Sequence, residues 1–163
     1  MEGKVLIACV GNIFLGDDAF GVEVAQRLAQ TALPPSVVVK DFGIRSYDLA
    51  YALMEKWELI VLVDAVTCGS EPGTVYTIEP DLMEGHNSHS LDAHSMDPVS
   101  VLHLVNALGG KVERMLVVGC EPECIDADTG GNIGLSTAVN AAVDEAVRVI
   151  LELVGGRVRT TAA

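Results

Sequence analysis

The sequence predicts a three-layer α/β/α sandwich built on a five-stranded, mostly parallel sheet. Three observations carry this. Short apolar runs alternate with stretches whose apolar residues recur at helical spacing, the chain order of α/β proteins. Runs such as "LIVLVDA" are apolar without alternation, as strands covered on both faces must be. One pair of consecutive strands, the third and fourth, is joined by a Gly/Pro-containing loop with no helix, so the fourth runs antiparallel at an edge.

Taken in order, "KVLIACVG" is the first strand. The chain after Asp18 is a helix, because Phe20, Val24 and Leu28 share a face with Ala25 beside them. "VVVKDF" is the second strand, and "SYDLAYALMEK" the helix leading to the third, "ELIVLVDAV". "GTVYTIE" is the fourth strand. The next helix is "DPVSVLHLVNALGG", with Asp97 as N-cap, Pro98 at its first position and glycines past its end. "RMLVVGCE" is the fifth strand. The last helix shows Val139, Val143, Val147, Ile150 and Val154 at helical spacing. Residues 1–155 form one domain and residues 156–163 a flexible tail.

With 163 residues and half of them hydrophobic, the chain can bury a sizeable core of Val, Leu, Ile and Ala. Its net charge of -13 argues against nucleic acid and anionic membrane as partners. No apolar run approaches the roughly 20 residues of a bilayer span. "MEGKVLIACVG" runs straight into a polar turn rather than a cleavage site, so the expected location is cytoplasmic. Cys9, Cys68, Cys120 and Cys124 include no CxxC pair, and "GCEPEC" is not a common zinc spacing. Reduced, structural cysteines are the expectation.

Ligands of open α/β sheets bind beyond the carboxyl ends of strands where the winding reverses. If the first strand lies between the second and third, that crevice receives "GNIFLGDDAFG" and the end of "LIVLVDAVT". The glycine turn is neither GxGxxG nor GxxxxGK[ST], and its adjacent carboxylates occupy the place a phosphate would take. Asp17 or Asp18 can equally be a helix N-cap or a ligand. Asp64 ends a buried strand, where an unpaired charge is costly. It either caps a loop or pairs with Arg45, or it serves a ligand. "HNSHSLDAHSMDP" supplies His86, His89 and His94 in a polar stretch with no HExxH pattern, while His103 is read as a packing residue. Two carboxylates and one imidazole would form a mixed oxygen/nitrogen set suited to nickel, zinc or iron. "DADTGGN" fails as a calcium loop, having Gly130 at a ligand position and no closing glutamate. "GSEPG" is no GxSxG elbow.

The ordered set "GNIFLGDDAFG", "LIVLVDAV" followed by "PGTV", "DAHSMDP" before a helix, and "VVGCEPE" followed by "GLSTAV" resembles the nickel–iron hydrogenase maturation proteases. The resemblance covers about Val5 to Val154. It implies strand order 2-1-3-5-4 with the fourth strand antiparallel. By position it also implies that Asp18, Asp64 and His94 are the catalytic and metal-binding residues. Some relatives carry glutamate at the first of these, and many carry glycine where Ala19 stands. His86 and His89 have no counterpart. The implied activity is removal of a C-terminal extension from the hydrogenase large-subunit precursor, with nickel already seated in that precursor as the recognition signal rather than a resident cofactor. A hydrogenase assembly chaperone is a further partner the resemblance allows. On this reading Gly11 and Gly16 turn the backbone sharply, and Asp18 projects towards a cation.

Two mechanisms fit that activity. Either the metal polarises the scissile carbonyl or activates a bound water, or Asp17 or Asp18 acts as an aspartyl general base. Two other functions remain open to the sequence: a nickel-sensing assembly factor that does not cut, and a metallopeptidase for small peptides.

Overall fold

The computed structural model describes residues 3–82, 98–123, 125 and 134–160, with side chains given as far as residue 155. Its sheet has five strands: β1 (Val5–Val10), β2 (Val37–Gly43), β3 (Leu59–Ala65), β4 (Val75–Ile78) and β5 (Met115–Cys120). They lie in the order β2-β1-β3-β5-β4. β1 pairs in parallel with β2 and β3, β3 in parallel with β5, and β4 antiparallel with β5. The expected architecture is therefore the observed one.

The four helices are α1 (Phe20–Ala29), α2 (Ser46–Leu53), α3 (Pro98–Ala107) and α4 (Thr137–Thr160). α1 packs with α4, and α2 with α3. The period-2 geometry of the strands divides the core between these two pairs. Val5, Ile7 and Cys9 of β1 join Leu59, Val61 and Val63 of β3 in one buried cluster with α1 and α4. Leu6, Ala8 and Val10 join Ile60 and Leu62 in the other, beneath α2 and α3. Both faces of β1 and β3 are covered, which is why their sequences lack alternation.

The five apolar positions read for the last helix are all buried, and α4 continues as helix to Thr160. α3 begins at Pro98, as the sequence indicates; its expected cap, Asp97, lies outside the described residues. Among the described residues no helix is long and apolar enough to cross a membrane.

Candidate active site

β1 lies between β2 and β3, and the chain winds outward from it in both directions. The crevice therefore opens beyond the carboxyl ends of β1 and β3. Two glycines set its geometry. A Cβ on Gly21 would lie 2.1 Å from the Val10 carbonyl oxygen and 2.7 Å from that of Val63, so only glycine lets the first turn of α1 rest on those strand ends. A Cβ on Gly11 would lie 2.1 Å from the Asp18 carbonyl oxygen. Between them runs a single 3-10 turn, Gly16–Ala19, in contact with β3. Gly16 opens it at a left-handed φ of 55°, a conformation glycine adopts without penalty. Ala19, at φ -75°, is right-handed, so an alanine fits there.

The two adjacent aspartates have different surroundings. Asp17 is 1% exposed. Its Oδ2 accepts the Glu123 N–H at 2.8 Å and the Ser136 hydroxyl at 2.9 Å, and its Oδ1 accepts the Ser136 N–H at 2.7 Å. Ser136 also caps α4, its Oγ accepting the Val139 N–H at 3.4 Å. Asp17 thus clamps the 3-10 turn to the start of α4, where the helix dipole favours a negative charge. Asp18 is half-buried, and its Oδ2 accepts the Asn12 N–H at 3.0 Å. Burial raises its pKa, with the Asn12 N–H acting in the opposite direction. Neither carboxylate caps α1, which has no side-chain cap.

Asp64 is buried at the end of β3, opposite Gly119 of β5, with its Oδ1 accepting the Ala65 N–H at 2.8 Å. The fold therefore sets the turn that carries Asp18 against β3, the strand that carries Asp64 near its end, although the two segments are far apart in sequence. His94, like His86 and His89, lies outside the described residues. Among the described residues no three His, Cys, Asp or Glu side chains gather as a metal site, so Asp18 and Asp64 are the described members of the expected set. Arg45 directs its donors locally. It reaches the Phe42 carbonyl at 3.2 Å, the Asp41 carbonyl at 2.8 Å and the Asp48 carboxylate at 3.4 Å.

Glu121, which sequence reasoning left unassigned, is buried directly after β5. Its carboxylate accepts N–H groups of Cys68 at 2.7 Å and Gly69 at 3.0 Å, and the Tyr76 hydroxyl at 2.9 Å. The Cys68 N–H leads in lowering its pKa, with Tyr76 and Gly69 adding and burial opposing. The one signal for it in the sequence is a charge directly after a buried strand. Burial pushes the Cys120 thiol up to about 11, with Asp17 and Glu121 adding, and raises Cys9 further still. Both thiols are buried, the setting of structural rather than reactive cysteines.

Comparison with known proteins gives a consistent result. The family profile described as HycI, hydrogenase maturation protease, matches residues 22–153. A Methanocaldococcus jannaschii protein assigned as a hydrogenase maturation protease is 36% identical over 149 residues, covering 90% of this chain and 94% of that one. The hydrogenase 2 maturation protease of Escherichia coli is 26% identical over 149 residues, covering 91% of this chain and 88% of that one. Among solved structures, the [NiFe] hydrogenase maturation protease HybD from Thermococcus kodakarensis superposes with a TM-score of 0.67 at 26% identity, covering 93% of this chain and 99% of that one.

Proposed function

This chain belongs to the hydrogenase maturation protease family and is a peptide hydrolase, and from that premise we propose that it removes the C-terminal extension of a nickel–iron hydrogenase large-subunit precursor after nickel insertion. The observation that supports the proposal is the contact of the Asp18 turn with β3, which carries Asp64 near its carboxyl end. Asp18 is held where burial disfavours its charge. A cation arriving in the crevice reverses that penalty.

Nickel is the precursor's cargo in this reading. Asp18, Asp64 and His94 contribute two oxygens and one nitrogen, leaving coordination positions to the precursor's own ligands. A precursor without nickel lacks the charge that draws these carboxylates together, so the ion reports that the large subunit is ready for cutting.

The hydrolytic water is activated either by the nickel or by a carboxylate. Of the two adjacent aspartates, Asp18 is the one this reading takes as the candidate base. The support for this choice is that Asp17 already accepts hydrogen bonds from Glu123 and Ser136 inside the fold. Intact-mass spectrometry of nickel-loaded and nickel-free precursor, each incubated with this protein, tests the proposal. Loss of the extension from the loaded precursor alone is expected. A loaded precursor that binds and keeps its full mass would overturn it in favour of a non-cutting assembly factor.

A further inference from the structure

Next to the Asp18 corner lies a groove of about 500 Å³ between the loop after β1 and the turn from β2 into α2. Val22 and Phe42 are buried in its lining, while Ile13, Phe14 and Ile44 stand 48%, 61% and 64% exposed. Those three are among seven large apolar side chains exposed among the described residues. Two more, Tyr47 and Tyr51, stand exposed at i,i+4 spacing on α2, which begins two residues after Ile44. Scattered exposed apolar residues are ordinary, but apolar residues gathered around one concavity mark a contact surface.

The loop backbone and Arg45 groups of the groove are already committed within the fold, and the exposed Gln26 adds one side-chain amide to its lining. The Gly11 N–H donates to the Gly43 carbonyl at 2.9 Å, and the Phe14 N–H to Asn12 Oδ1 at 2.9 Å. The Gly43 N–H donates to Asp41 Oδ1 at 2.8 Å, and Arg45 is bound to the carbonyls of Asp41 and Phe42. A polar metabolite would find few partners there, whereas apolar side chains would find a lined receptacle. The groove is also continuous with the candidate active site, because Asn12 forms part of its wall and donates its N–H to Asp18.

We infer that this groove is a specificity subsite, seating an apolar segment of the precursor's own chain next to the scissile bond. The inference deepens the function proposed above and depends on it. Buried apolar anchors at such contacts dominate affinity while leaving the chemistry untouched. The groove therefore acts on capture of the precursor rather than on turnover.

The test is steady-state cleavage of the nickel-loaded precursor by wild type, Phe14→Ser, Ile44→Ser and the double variant. Both side chains are exposed, so the variants should fold, and an unchanged thermal midpoint checks this. A rise in KM of about tenfold or more in the double variant, with kcat within about twofold of wild type, is expected. An unchanged KM in a variant that melts normally would overturn the subsite while leaving the protease reading intact. Wild type that cuts no precursor would instead refute the protease reading, and the subsite with it. Sedimentation of the same proteins covers self-association. A wild-type dimer that the double variant dissolves with no change in KM would make the groove an interface between copies, and would also overturn the inference.

Discussion

Replacing Asp17 with alanine removes a carboxylate but not the donors aimed at it. The N–H groups of Glu123 and Ser136 and the Ser136 hydroxyl all point to a residue that is 1% exposed. A hydrogen bond to a charged group contributes about 1.5–3 kcal/mol net. A plain sum over these bonds overstates their joint contribution, since Glu123 is at the surface and water can reach its amide once the clamp opens. Removing one partner of a buried charged network costs about 3–5 kcal/mol, and we take that range. For a domain of this size it lowers the thermal midpoint by roughly 6–20 °C. Chemical denaturation followed by circular dichroism reads the free energy directly. Asp18→Ala should unfold within about 1 kcal/mol of wild type, because one backbone N–H loses an acceptor at a half-buried site. An Asp17→Ala protein as stable as wild type, or an Asp18→Ala protein as damaged as Asp17→Ala should be, would refute the division of labour drawn between these neighbours.

Gly21→Ala should cost about 1–3 kcal/mol or more, because its methyl group would lie 2.1 Å from a backbone carbonyl that cannot move aside; denaturation midpoints check it, and precursor cutting should fall with the displaced corner. The depressed pKa of Glu121 makes its ionised form stabilising. That contribution is complete above the unfolded carboxylate pKa of about 4.3 and is lost as pH falls through the lower folded value. Glu121→Gln should therefore lose stability at neutral pH and show less acid dependence between pH 5 and 2 than wild type (roughly that window), measured as unfolding midpoint against pH. Arg27→Ala breaks an exposed ion pair with Asp144 that links α1 to α4, and should change stability by less than about 1 kcal/mol in thermal melts.

Much of this fold is written locally. Unbroken apolar runs mark β1 and β3 as central, the helix-free loop marks β4 as antiparallel, and the spacing of Phe20, Val24 and Leu28 marks α1. The switch-point rule then points to the carboxyl ends of β1 and β3, where the Asp18 turn and Asp64 lie in the chain, with no knowledge of side-chain contacts. The distinct tasks of Asp17 and Asp18 could not be read in this way. In a 3-10 turn successive side chains diverge by about 120°, so neighbours in sequence face different surroundings. What Asp17 faces, Ser136, lies 119 residues away. Glu121 was hidden for the same reason, since its three donors come from 45 to 53 residues earlier in the chain. Arg45 was open to pairing with Asp64, but the tight turn after β2 offers it carbonyls nearer to hand.

The central claim is that Asp18 and Asp64 act together on one cation carried by the precursor. A double-mutant cycle tests it most directly, measuring the affinity of nickel-loaded precursor for wild type, Asp18→Asn, Asp64→Asn and the double variant. Shared contact with one ion predicts strong coupling, with the second substitution costing little once the first is made and a coupling energy of about 1–3 kcal/mol. It also predicts no such coupling with nickel-free precursor. Losses that add independently, or that are the same with and without nickel, would contradict it.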